Sequence, residues 1–176
     1  MAKKKYVDSA VAPIIAFDFD DTININGGDR FPECGEVRPF AKEVINFLHY
    51  IGCKIVIWTS RDVAYNQEEK KMYDHLTPML EFLDANSIEY DAINKSVQFA
   101  PYHYNGRKVY AHLYVDDRSF GWYESDTIMI DVLMHILINI IGIEDEDAIC
   151  MRNDLVNGRP VSLRYYAKDM VQRWRY

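Results

Sequence analysis

Short apolar runs of strand length alternate along this chain with stretches whose apolar residues recur every three or four positions. Residues 14 to 18 (Ile-Ile-Ala-Phe-Asp) are almost wholly apolar and meet a polar cluster at once, the pattern of a buried parallel strand. Residues 24 to 38 are rich in Gly and polar residues and read as a loop or small hairpin flap. Ala41, Val44, Ile45 and Leu48 then fall at helical spacing, with Pro39 near the start and Gly52 just past the end. Lys54 to Trp58 is a second β-rich run. Met72, Leu76, Met79, Leu80 and Leu83 form one helical face, with Thr77-Pro78 capping and restarting the helix. Tyr90 to Asn94 and Tyr110 to Val115 read as two further strands. The alternation predicts an α/β fold: a doubly wound, mostly parallel sheet with helices on both faces, followed by a C-terminal helical extension.

The extension has its own pattern. Thr127 to Ile141 is apolar nearly all round, broken by one polar stripe of Thr127, Asp131, His135 and Asn139, so a helix buried on most sides is expected. The acidic run Glu144 to Asp147 suits the start of a further helix, where negative charge meets the positive end of the helix dipole. Leu163, Tyr166, Ala167, Met170, Val171 and Trp174 make another helical face behind Ser162. The expected division is a domain over residues 1–125 and an extension over 126–176, packed on the core or on a second subunit of a homo-oligomer.

Composition narrows the class. A chain of 176 residues, 49% hydrophobic and 27% charged, is long enough for a core without staples and too apolar to be disordered. Its three cysteines, Cys34, Cys53 and Cys150, form no Cys-x-x-Cys pair, which fits a reducing cytoplasm. Lys3 to Lys5 lead into Tyr6-Val7-Asp8-Ser9 rather than an apolar signal segment, and the oily run 128–141 is shorter than the ~20 residues of a membrane span. A net charge of −7 disfavours a nucleic-acid partner unless a local basic patch overcomes it. The basic face of Arg164, Lys168, Arg173 and Arg175 reads as a solvated helix surface, and the tyrosines as core and interface residues. His103, His112 and His135 have no spaced partners and read as structural rather than metal-ligating.

The chemistry gathers where such folds place it, at the carboxyl ends of the parallel strands. Asp18, Asp20, Asp21 and Thr22 follow the first strand, Thr59, Ser60 and Arg61 the second, Asn94, Lys95 and Ser96 the third, and Asp116, Asp117 and Arg118 the fourth. Carboxylates brought this close repel one another unless a cation joins them, and Mg²⁺ accepts such hard oxygen donors together with substrate phosphate oxygens. A lysine and a hydroxyl beside that cluster suit a bound phosphate.

These motifs resemble the haloacid dehalogenase superfamily of phosphatases: an apolar strand followed by Asp18-x-Asp20-x-Thr22, a strand ending in Thr59, a later lysine, and a strand ending in Asp116-Asp117. The stretches Phe31-Pro32-Glu33, Ile57-Trp58-Thr59-Ser60-Arg61, Tyr90-Asp91-Ala92-Ile93-Asn94 and Tyr114-Val115-Asp116-Asp117-Arg118 look like small capless members from bacteria and phages. The resemblance covers about residues 14 to 122. It implies a Mg²⁺-dependent phosphomonoesterase in which Asp18 forms an aspartyl-phosphate and Asp20 acts as general acid, then base. It further implies metal binding by Asp18, Asp20 through its backbone carbonyl, and Asp116, supported by Asp117, with Thr59 bonding a phosphate oxygen. Lys95, at the end of the third strand, is the choice for the phosphate-neutralising lysine. Lys108, eight residues before Asp116 along an extended strand, lies roughly 26 Å away. Asp21 stands where the family often has Gly, and Asn94 is placed to share the lysine's role.

Thr22, Ser60, Arg61 and Asn94 are substrate-contact candidates, with a salt bridge the competing reading for Arg61. Only 40 residues separate Asp18 from Thr59 and 35 separate Thr59 from Lys95, which leaves no space for an inserted cap domain. The expected substrate is a phosphorylated small molecule or a nucleotide. The Asp-Asp-Arg ending faintly resembles the phosphatase half of polynucleotide kinase-phosphatases, which raises a nucleic-acid 3′-phosphate as an alternative. From another class, a non-catalytic phospho-acceptor module in the style of a receiver domain would place its acceptor Asp after the middle strand, where this chain has Thr59.

Overall fold

A computed structural model describes residues 12–27, 31–97, 108–119 and 121–159. Its centre is a sheet of four parallel strands: β1 (Ile14–Asp18), β4 (Lys54–Trp58), β7 (Ala92–Ile93) and β8 (Leu113–Val115), in the order β7-β4-β1-β8. Two small antiparallel ribbons flank it. β2 (Asn24–Ile25) pairs with β3 (Glu36–Val37), forming the flap expected after the first strand, and β5 (Val63–Asn66) pairs with β6 (Lys71–Asp74). The helices are α1 (Ala41–Tyr50), α2 (Thr77–Ala85), α3 (Ile128–His135), which runs on as a π-helical segment (Ile136–Ile141), and α4 (Asp145–Val156).

Period-two alternation decides which side of the sheet is core. Ile15 and Phe17 of β1, Ile55 and Ile57 of β4, and Val115 of β8 join one buried cluster with residues of all four helices. Ile14, Ala16 and Val56 point to the opposite face, against Val109, Trp58, Tyr114 and Val97. The expectation of helices on both faces is therefore corrected: among the described residues every helix packs on the Ile15–Phe17 face. The extension is not peripheral to that core. Met129, Ile130, Leu133, Ile136 and Leu137 are fully buried in the same cluster as β1 and α1, while Asp131, His135 and Asn139 keep the exposed stripe. The helix expected over 163–174 lies outside the described residues.

Three local expectations change. Met72 belongs to β6 and not to a helix; α2 starts only at Thr77, with Pro78 in its first turn and the Asp74 carboxylate accepting the backbone N–H groups of Leu76 and Thr77. The β5–β6 ribbon escapes sequence reading because it is exposed on both sides and its turn lacks an Asn-Gly signal; Asn66 Oδ1 accepts the N–H groups of Glu68 and Glu69 instead. The third and fourth core strands are only two and three residues long, so the extended path assumed between residues 108 and 116 is not followed. Lys108 folds back, its ammonium 5.0 Å from the Tyr114 ring centroid.

No described helix is long and apolar enough to cross a membrane. All three cysteines are free thiols.

Candidate functional site

From β1 the chain passes to β4 and β7 on one side and returns to β8 on the other, so strand order reverses beside β1. In parallel sheets that reversal opens a crevice at the carboxyl ends. Here it is a cleft of about 290 Å³ lined by Asp18, Asp20, Asp21, Trp58, Thr59, Ser60, Asp116, Asp117 and Arg118. Because β8 hydrogen-bonds directly to β1, Asp116 and Asp117 leave their strand next to Asp18. Carboxylate oxygens of these three residues lie within 4.8 Å of one another.

Three anions this close pay for it electrostatically. Asp18 is pushed up to about 7, first by burial and then by the charges of Asp116, Asp117 and Asp20, against a lowering bond from the Phe19 backbone. Asp117 is also raised, by burial and by the charges of Asp116 and Asp21. The donors are all hard oxygens. Mg²⁺ is held by such oxygens, several at a time, so the cluster offers the donor type a hard cation requires. The residues present thus fit a divalent cation.

Asp20 is sorted differently. Both of its carboxylate oxygens accept from Arg61, whose Nε and Nη2 donate at 2.9 and 2.7 Å, and Asn24 Nδ2 adds a bond at 3.3 Å. Its side chain is therefore not one of the three clustered carboxylates; the donor expected of Asp20 was its backbone carbonyl. The same pair corrects the substrate role of Arg61. Arg61 is only 2% exposed and turns its guanidinium away from solvent, between the rings of Phe19 and Phe31. The salt-bridge reading holds.

Two more substrate candidates turn out to build the loops. Thr22 is fully buried and its Oγ1 accepts the Asp117 N–H at 2.9 Å, which ties the loop after β1 to the loop after β8. Asn94 spends both ends of its amide on Thr59: Oδ1 accepts the Thr59 N–H at 2.9 Å and Nδ2 donates to the Thr59 carbonyl at 2.7 Å. Thr59 in turn accepts the Arg61 N–H on its hydroxyl at 3.1 Å, leaving the hydroxyl proton available to a ligand.

Lys95 does not line the cleft. It is exposed beyond β7, which lies two strands from β1, about 10 Å away at ordinary strand spacing. Sequence reasoning gave no site role to three contributors. Arg118 lines the cleft with its side chain 88% exposed, its backbone N–H bound to Asp116 Oδ1 at 2.8 Å; its position directly after Asp-Asp was the signal. Trp58 supplies an aromatic wall braced edge-on against Tyr114. Arg38 had no local signal: it is buried, donates to the carbonyls of Thr22 and Asp21, and pairs with Glu124 at 2.9 Å. Asp21 sits at φ 57°, a left-handed position where Gly costs nothing and Asp is among the better-tolerated alternatives, which accounts physically for the departure from Gly. His112 is structural, its Nδ1 accepting the Ile14 N–H at 2.9 Å.

No family model and no curated protein matches the chain. A solved structure, described as a conserved protein coded by a locus from Bacteroides thetaiotaomicron, is similar to it at 27% identity and a TM-score of 0.53, covering 72% of this chain and 89% of that one. The likeness agrees with a mostly parallel α/β architecture, and the chain is an α/β protein with a parallel central sheet.

Proposed function

We propose that this chain is a Mg²⁺-dependent phosphomonoester hydrolase of the haloacid dehalogenase type, acting through Asp18. The observation that supports it best is the division of labour among four carboxylates at one sheet edge: Asp18, Asp116 and Asp117 converge as a cation site, while Asp20 is held apart by Arg61. A packed core has no use for either arrangement.

Asp18, Asp116 and Asp117 would hold the cation, which when bound offsets negative charge on the phosphoryl group. The Asp18 carboxylate oxygen attacks phosphorus and the ester P–O bond breaks; Asp20 enters this step protonated, with one of its two bonds to Arg61 released, and gives that proton to the leaving oxygen. The Asp20 carboxylate then removes a proton from water, whose oxygen attacks phosphorus and breaks the bond to Asp18. That returns both residues to their starting state. Thr59, with its hydroxyl proton free, bonds an equatorial oxygen, and Arg118 takes the charge-neutralising role assigned from sequence to Lys95. The cleft is open, which suits a phosphorylated small molecule or nucleotide.

The test is phosphate release from p-nitrophenyl phosphate and a panel of sugar phosphates, nucleotides and 3′-phosphorylated oligonucleotides, with Mg²⁺ or chelator. Mg²⁺-dependent turnover that falls at least about 10³-fold in Asp18→Asn is expected. Absence of Mg²⁺-dependent turnover on every monoester refutes the reading.

A further inference from the structure

Arg61 is an unusual residue to find almost wholly enclosed. A guanidinium is costly to bury unless every face is used, and here each one is. Nε and Nη2 form a two-pronged pair with Asp20 at 2.9 and 2.7 Å, Nη1 donates to the Pro32 carbonyl at 2.5 Å, and the Phe19 and Phe31 ring centroids each lie 5.0 Å from the guanidinium carbon. Three separate segments therefore meet at one side chain: the loop after β1, the loop after β4 and the flap. Phe31 is 51% exposed, so burial does not explain its placement. Its ring covers Arg61 and meets His75 edge-on at 4.6 Å.

We propose that Arg61 is a positioning residue that, with Phe31 of the flap, fixes the Asp20 carboxylate on the flap side of the cleft and keeps it out of the Asp18–Asp116–Asp117 cluster. The inference deepens the function proposed above and rests on it for its catalytic consequence. Asp20 lies two residues from Asp18 and its side chain is 34% exposed, so an unrestrained carboxylate there is a fourth anionic donor for the same cation. A forked guanidinium occupies both oxygens at once, which a lysine's point charge does not do. The flap is part of the device, because Phe31 and Pro32 supply one aromatic face and one acceptor.

Two measurements decide it. The first needs neither metal nor turnover: in ¹⁵N NMR of the full chain, the Arg61 Nε–H should give a resolved, slowly exchanging signal that disappears in Asp20→Asn and broadens in Phe31→Ala. A signal unchanged by Asp20→Asn overturns the clamp. The second is Mn²⁺ binding followed by electron paramagnetic resonance. Asp20→Asn should leave affinity within about twofold, Arg61→Gln should tighten it about tenfold as Asp20 is released, and the double variant should return to within about twofold of the native chain. Weakening beyond tenfold in Asp20→Asn, or equal affinities for Arg61→Gln and the double variant, refutes the sorting role. Arg61→Lys, which keeps the charge, should still lose about 10- to 100-fold in kcat with KM nearly unchanged. If the native chain binds no Mn²⁺ and turns over no ester, the proposed function falls, and the Nε–H signal still decides whether the clamp exists.

Discussion

Replacing Asp18 by Asn should stabilise the metal-free protein at alkaline pH and leave it unchanged in acid. Asp18 is raised from 3.8 to about 7 in the folded chain, so its contribution to stability runs opposite to that of a salt-bridged carboxylate. Below about pH 3 both folded and unfolded states carry the proton and the group is neutral to folding. As pH rises toward 7 the unfolded chain ionises Asp18 while the folded chain resists, so the unfolded state binds fewer protons and stability falls. Fully expressed, a rise from 3.8 to about 7 is worth about 4 kcal/mol. The side chain keeps a solvent-facing edge in the cleft, and screening there reduces the expected effect to about 2 kcal/mol. Asn has nearly the same shape and no charge to lose.

Urea unfolding followed by tryptophan fluorescence, with chelator at pH 3, 5 and 8, measures the difference between the native chain and Asp18→Asn. It should be near zero at pH 3 and about 2 kcal/mol in favour of the variant at pH 8. Adding 10 mM Mg²⁺ should recover about 1.4 kcal/mol for the native chain if its Kd is about 1 mM, and less for the variant. A difference that is flat across pH refutes the account, because only a group titrating differently in the two states can give it slope.

Further outcomes follow from the same geometry. Asn94→Ala removes both bonds to the Thr59 backbone and should destabilise the protein by about 1–3 kcal/mol in urea unfolding; Asn94→Gly tolerates the φ of 49° and should do no better, because the bonds and not the dihedral are what is lost. Lys95→Ala should leave kcat/KM on p-nitrophenyl phosphate within about twofold, whereas Arg118→Ala should lower it by about 10- to 100-fold; the reverse ranking would return the charge-neutralising role to Lys95. Leu133→Ala should cost about 2–5 kcal/mol, because the residue is fully buried in the cluster shared with β1 and α1; a cost below about 1 kcal/mol would show that the extension is a loosely attached appendage.

What the sequence by itself determined was local. The bounds of β1 and β4, the start of α1 at Ala41 and the acidic start of α4 follow from period, caps and charge within a few residues of chain, and the same reading brought Asp18, Thr59, Ser60, Asp116 and Asp117 to one edge, because strand ends are where periodicity breaks. The short β7 and β8 were overextended, since two or three residues carry almost no period, and the β5–β6 ribbon was missed because neither of its faces is buried. Tertiary structure alone decided what each polar residue does. Thr22, Asn94 and Arg61 share the composition of ligand-binding residues, and only the folded partners show that one holds the Asp117 loop, another the Thr59 loop and the third Asp20. Whether a hydroxyl, amide or guanidinium faces a ligand or a loop depends on which buried donor or acceptor it must satisfy. That partner comes from a segment 35 to 95 residues away, a distance along the chain at which no local pattern carries information.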